Sequence, residues 1–407
     1  MRESVEKKRN SSPKKSDRKP KQPVEKSVTT IGICGIIGGI ALACAGIFTP
    51  REALPDLVFP KIPSETPGGN NIYSRLTGLP LASEAEVTAP AFCVQTPNGT
   101  DGARPHAGLD TAGVVFEAIA ERGITRFAAI YQNSASAVIG PIRSLRLYYL
   151  EWDTPFDCTI VHAGGADDAL AAVRAGGYRD LTENYQYMYR GTTGTRLWNN
   201  LFTTSGLLKR MNEDRGYGGS DIKGFTRMTP EESLKARINA GAGGRLDITA
   251  PTTKNTSLVT PTVTSVAVDF GSFADFNVRY NYNAETNVYL RSYESGGPHE
   301  VYVCPNEDRG ETDPESTCEL GQIQPSVVVA MMVDEHVAED GYHEDIAAVG
   351  TGEAYVFQNG QVVHGTWTKS TVADQIKFFD EKGAEIRLAP GQTFVEAVPK
   401  YGAIDFN

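Results

Sequence analysis

This 407-residue chain lacks the short signatures that mark the common chemistries. It has no Cys-x-x-Cys, no His-x-x-x-His and no EF-hand spacing, so no structural metal is expected. It has neither GxxxxGK(S/T) nor GxSxG, which removes the sequence grounds for a phosphate loop or a serine-hydrolase elbow. A second carboxylate motif is missing as well, although glycoside hydrolysis usually needs two carboxyl groups close together. No cofactor is expected. Between Ser27 and Pro50 there is also not one charged residue, and that absence indicates where the protein sits.

That uncharged run reads SVTTIGICGIIGGIALACAGIFTP. At ~1.5 Å per residue it spans ~36 Å as a helix, enough to cross a ~30 Å hydrocarbon core. Residues 1–30 hold ten Lys or Arg against four Asp or Glu, and a basic flank before an apolar span stays in the cytoplasm. The basic arm is thereby accounted for without a nucleic-acid partner. The rest of the chain carries the acidic excess behind the net charge of −11 and is expected outside, on a single-pass anchor in the cell membrane. Three readings of the span stand: an uncleaved signal-anchor, lipidation of Cys44, and ordinary cleavage. The anchor is favoured, because Ala41-Leu42-Ala43-Cys44 is a degraded lipobox behind a long basic segment.

Residues 50–74 hold five prolines and no periodic pattern, as an extended stalk would. About 330 residues follow, more than one domain usually holds. The expected layout is a basic tail (1–26), the anchor (27–49), the stalk (50–74), an N-terminal α/β domain (75–225), a linker (226–263) and a β-rich C-terminal domain (264–407). The fold class is therefore α+β, with a sandwich-like α/β part followed by a β-rich part. In the first part, residues 91–95, 127–131 and 159–161 read as strands. Asp110 or Thr111 would cap a helix over 112–121 that ends at Gly123, and a second helix is expected over 166–175. Residues 185–196 read as a loop covering the sheet. In the second part, residues 276–282 and 287–291 form a hairpin, and 327–332 is apolar throughout, as a strand buried on both faces would be. Asn359-Gly360 between two alternating runs is the strongest short hairpin signal available. The polar cluster Asp334, Glu335, His336, His343, Glu344 and Asp345 reads as an acidic loop.

Four of the six cysteines lie outside the span, which suits an oxidising compartment. Cys304 and Cys318 bracket a charged loop with no core to enter, so they are expected to pair, contributing ~3 kcal/mol. Cys93 and Cys158 could pair only if their strands are close, and two buried thiols are the equal alternative.

Several motifs resemble the YerB-like family of bacterial lipoproteins, defined by two domains of unknown function. They are Leu76-Thr77-Gly78-Leu79-Pro80, Ala103-Arg104-Pro105, Glu117, Gly123-Ile124-Thr125-Arg126-Phe127, Ile139-Gly140-Pro141-Ile142-Arg143-Ser144, His162-Ala163-Gly164-Gly165 and Asn200-Leu201-Phe202-Thr203. A second block comprises Val349-Gly350-Thr351-Gly352, Asn359-Gly360, Gly365-Thr366-Trp367 and Pro390-Gly391-Gln392-Thr393. The resemblance covers roughly 75–215 and 265–400 and implies a shared fold more than an activity. The chain departs from the family at His106, where Gln is usual, and at Trp198-Asn199, where a Pro-His pair is usual.

These polar clusters interrupt apolar runs and are expected to converge on one pocket. Arg104, Arg126, Arg143, Arg146, Arg190 and Arg196, with His162 and Asn200, are its candidate ligand-binding residues, since arginine forks recognise carboxylate or phosphate bidentately. Glu117 and His162 are candidate acid/base catalysts. Against this, Arg126 or Arg143 could pair with Glu117, Glu121 or Asp157 in an ordinary network, and a lone His at a strand end is usually structural. Two functions follow. One is an envelope protein binding an anionic wall glycan, peptide stem or partner protein, and it is favoured. The other is a glycan hydrolase or lyase using Glu117 and His162. The sequence sets no oligomeric state. The topology has a direct test. Protease added to cells after wall removal should degrade residues 75–407 and spare the first 30; protection of the whole chain would overturn it.

Overall fold

The computed structural model describes residues 72–134, 136, 138–191, 199–239, 262–305 and 313–407. Its principal strands, in chain order, are β1 (Ala91–Pro97), β2 (Val114–Glu121), β3 (Ile124–Gln132), β4 (Thr159–Val161), β5 (Asp180–Leu181), β6 (Ser265–Asp269), β7 (Val278–Asn283), β8 (Val288–Tyr293), β9 (Val327–Val333), β10 (Gly350–Gln358), β11 (Gln361–Lys369), β12 (Lys377–Asp380), β13 (Thr393–Pro399) and β14 (Ala403–Phe406). A ten-stranded sheet has the order β12-β11-β10-β9-β13-β2-β3-β1-β4-β5, and a four-stranded sheet the order β8-β7-β6-β14. Helices α1 (Leu147–Asp153), α2 (Asp167–Arg174) and α3 (Ser205–Asp214) belong to the N-terminal part. The protein is a strand-rich α+β fold.

The expected N- and C-terminal parts meet inside the larger sheet. There β13 pairs in parallel with both β9 and β2, and Glu396 lies opposite Glu117. Since β3 runs antiparallel to both β2 and β1, while β4 and β5 follow β1 in parallel, strands β2, β1, β4 and β5 all end at one edge. In open sheets that edge is where ligands are usually met.

The helix expected over residues 112–121 is instead β2. All eight residues of Val114–Glu121 are buried, and a short apolar run buried on both faces has no period to separate strand from helix. Tertiary burial decided for the β-branched and aromatic start, Val114-Val115-Phe116. Gly123 is no helix cap: Arg122 and Gly123 have φ of 47° and 80°, the double left-handed turn that a tight hairpin requires. Asp110 and Thr111 lie in a 3₁₀ turn, Leu109–Thr111, before the strand.

The C-terminal hairpins form as expected. Gln358 pairs with Gln361 around Asn359 and Gly360, whose φ values are 55° and 70°, and β7 pairs with β8. The 327–332 run becomes the buried strand β9. The acidic 334–345 segment forms a small hairpin, Glu335–Val337 against Glu344–Ile346. Within 226–263, residues Pro230–Asn239 form a helix. The expected tail (1–26), the anchor (27–49), residues 50–71 of the expected stalk (50–74) and the 240–261 part of the linker lie outside the described residues. Among the described residues no helix is long and apolar enough to cross a membrane.

Two disulfides are present. Cys304–Cys318 closes a span of 14 residues, and Cys93–Cys158 joins β1 to the residue before β4, over 65 residues. The parallel pairing of β1 with β4 provides the closeness that the second bridge needs. Longer closed loops restrict the unfolded chain more, so Cys93–Cys158 should contribute about 4 kcal/mol against about 3 kcal/mol for the shorter one. A non-reduced digest should yield both cross-linked peptide pairs by mass spectrometry; free thiols at either pair would contradict the assignment.

Candidate functional site

Strand alternation places two polar networks on opposite faces of the sheet around β2. Phe116 and Ala118 face a core containing Tyr149, Trp152 and Val329, whereas Ile119 packs with Tyr280 and Val328 on the other side. Glu117 points with Ile119. Between Ile119 and Glu121 the register slips, as at a β-bulge, which re-aims the next side chain. Glu121 therefore joins the face of Ala118, where Arg126 of β3 lies opposite Ala118.

On that face Glu121 binds two arginines. Arg126 donates to one carboxylate oxygen, and Arg146, immediately before α1, donates to the other at 3.0 Å. Arg126 also reaches the Ser144 carbonyl at 3.1 Å, and Arg146 the Leu145 carbonyl at 2.9 Å. Both guanidinium groups and the carboxylate are buried. Burial, and then the neighbouring Arg146 charge, push the Arg126 pKa down despite Glu121. Arg143 stands beside them, half-buried, and makes no side-chain hydrogen bond or ion pair with the described residues. Its Nε is sealed from solvent without a partner. Burial lowers its pKa too, opposed by Glu121 and Asp101. Three arginines thus converge on one glutamate at the edge where β2, β1 and β4 end. Tyr342, on the acidic hairpin, also acts on Arg143, and His343 bridges to the Glu121 backbone.

On the opposite face Glu117 is fully buried and paired with Arg291 of β8. Thr125 and Asn98 donate to its second oxygen at 2.6 and 3.0 Å. Arg104 belongs here as well, donating to Asn98 at 2.8 Å and to the Asp275 carbonyl at 2.8 Å, and stacking 3.7 Å from the Tyr293 ring.

The other candidates stand elsewhere. His162 is buried, with Nδ1 2.6 Å from the Gly164 carbonyl and Nε2 2.7 Å from Asp180, so both nitrogens are taken. It lies on β4's end, three strands from Glu117 across β3 and β1, or about 14 Å at ~4.8 Å per strand. The expected acid/base pair is therefore not assembled. Arg190 binds Glu183 at 2.6 Å and Asn200 at 2.9 Å, and Asn200 donates to Gly191 at 3.0 Å. These contacts close the base of a loop rather than line the arginine cluster. Arg196 lies outside the described residues, as does Trp198. The 185–196 segment, read as loop, includes a short strand Tyr189–Arg190 paired with Leu201–Phe202. The pairing of Arg126 with Glu121 was among the network partners the sequence offered; residues that sequence reading missed include Arg291, Tyr280, His299 and Glu396, which only strand register brings together. Among the described residues no group of three His, Cys, Asp or Glu is placed to hold a metal ion.

Fold and site together define a strand-rich α+β protein with one buried charge network on each face of its sheet. The family described as "Protein of unknown function (DUF3048) N-terminal domain" matches residues 76–218, and "Protein of unknown function (DUF3048) C-terminal domain" matches residues 266–395. The chain belongs to this family. It is 26% identical over 368 residues to the "Putative lipoprotein YerB" of Bacillus subtilis (strain 168), spanning 88% of this chain and 92% of the relative. A crystal structure of YerB protein from Bacillus subtilis matches with a TM-score of 0.63 at 23% identity, covering 82% of this chain and 99% of that one. At that identity the shared property is the fold.

The Glu121 network is testable by truncation. Glu121→Ala strands Arg126 and Arg146 as buried cations without a counter-charge, so a loss of about 3–5 kcal/mol in chemical denaturation is expected. A loss under about 1 kcal/mol would show that water solvates these groups, as at exposed ion pairs.

Proposed function

We propose that this protein is an extracytoplasmic component of the bacterial cell envelope, held at the membrane by residues 27–49, which binds a carboxylate-bearing wall fragment through Arg143. The envelope setting is supported by the uncharged span behind a basic flank and by the description of the Bacillus subtilis relative as a lipoprotein. Two disulfides also suit an oxidising compartment.

The observation that carries the binding reading is the unmatched guanidinium of Arg143. Glu121 has both oxygens committed to Arg126 and Arg146. The cluster Arg126, Arg143 and Arg146 against Glu121 leaves a local positive excess in a protein whose net charge is −11. A guanidinium fork beside such an excess recognises a planar carboxylate by two parallel hydrogen bonds. No observation favours the hydrolase reading, since Glu117 and His162 are both buried and occupied by separate partners.

Arg143→Ala tests this. It removes a cation that holds no partner among the described residues and relieves an unpaired buried Nε, so the melting temperature should stay near the wild-type value or rise slightly. Binding to soluble peptidoglycan fragments, and to N-acetylmuramic acid in preference to N-acetylglucosamine, should be lost in calorimetric titration. A melt lowered by many degrees would make Arg143 structural. Equal binding of both sugars, or of variant and wild type, would end the proposal.

A further inference from the structure

The second network carries an inference independent of the ligand. Glu117 and Glu396 lie opposite each other on the parallel strands β2 and β13, and both are 0% exposed. Packed over them are β7 and β8, which supply Tyr280, Arg291 and Tyr293. Tyr280 donates to Glu396 Oε1. Arg291 Nε donates to the Tyr280 oxygen at 3.0 Å, and the same guanidinium binds Glu117. Only a longer 3.9 Å approach joins Arg291 to Glu396. Glu396 Oε2 is buried and meets no hydrogen-bond donor among the described residues.

The histidines do not supply one. His106 Nε2 lies 2.8 Å from the Pro97 carbonyl, a pure acceptor, so that nitrogen carries hydrogen. Its Nδ1 then accepts from His299 Nε2 at 3.0 Å, and His299 Nδ1 accepts from Arg291. The chain Arg291 to His299 to His106 to Pro97 is closed with both rings neutral. Burial pushes His106 down to about 3 and His299 well below its ordinary value. Arg104 is the remaining cation, and it is committed to Asn98 and the Asp275 carbonyl on the Glu117 side. Thr125 donates to Glu117, and Asn98 to Glu117 and to the Thr125 hydroxyl, so neither turns a donor to Glu396.

We infer that Glu396 is a captured carboxylic acid whose proton is shared towards Glu117, making the docking of the four-stranded sheet on the main sheet a proton-dependent latch. An ionised Glu396 would be a buried carboxylate with one short-range donor beside a second carboxylate, an arrangement in which one of the two keeps its proton. Burial first, and then the Glu117 charge, hold Glu396 well above its ordinary value of 4.5. The sign follows. Below about 4.5 the group is neutral whether the chain is folded or not, and the latch is complete. As pH rises, the unfolded chain releases this proton and the folded one keeps it, so stability falls until the folded acid also ionises.

The test uses the full chain and compares wild type with Glu396→Gln, which keeps the shape of the neutral acid. Between pH 5 and pH 8 the unfolding constant of wild type should grow by up to about tenfold more per pH unit than that of the variant. Equal slopes would overturn the inference. Should the variant not fold, infrared spectroscopy of the otherwise unaltered protein decides. A carboxylic acid C=O stretch should persist at pH 8 in an Asp153→Asn background, which removes an acid pushed up to about 8 by burial; Glu344, raised to about 7, and Asp110, raised to about 6, are mostly ionised at that pH. Absence of that band would overturn it equally.

Discussion

A guanidinium inside a protein must be answered, and Arg291 is answered from three directions. It is fully buried on β8 and reaches Glu117 on β2, Tyr280 on β7 and His299. Burial alone would push its pKa down, yet Glu117 and the two tyrosines carry it well above the ordinary value. Charge pairs of this kind are weak sources of net stability, because desolvation offsets most of their attraction. Their effect is on uniqueness. A one-residue slip of β13 along β2 would turn Glu396 to the other face, and Tyr280 would lose its acceptor. The register between the two sequence halves and the seat of the four-stranded sheet are thus fixed by one set of contacts.

The other face of β2 shows a different solution to the same problem. A single bulge turns Glu121 away from Arg291 and into Arg126 and Arg146. One strand therefore presents a carboxylate to each side of the sheet, each against its own cations. The loop that carries Ser272 donates to the Gly123 carbonyl, in the hairpin turn between Glu121 and Arg126. The four-stranded sheet is in this way tied both to the buried latch and to the edge where Arg143 stands.

The chain's own peptide record already held the local elements. Asn359-Gly360 specifies its turn because both positions need positive φ, whatever surrounds them. Residues 327–332 are apolar without alternation, as a doubly buried strand would be. Cys304 and Cys318 close a loop short enough for the pairing to be read from spacing and charge. The uncharged run from Ser27 to Pro50 and its basic flank likewise follow from composition alone. Arg104, Arg126, Arg143 and Arg146 were recognisable as unusual cations in an acidic protein.

Their partition was not recognisable. Arg126, Arg143 and Arg146 gather at one edge, while Arg104 lies on the opposite face and Arg190 clasps a separate loop. Which face a residue takes depends on strand alternation and on the bulge before Glu121, and the run Val114–Glu121 reads equally well as a helix until its neighbours bury it on both sides. The partners that matter most are farther still: Glu117 and Arg291 are 174 residues apart, and Tyr280 and Glu396 are 116. Local sequence sets turns, spans and apolar runs, because those depend on neighbours in the chain. Long-range charge pairing leaves no period or spacing behind, so it was settled only when the two halves met in one sheet.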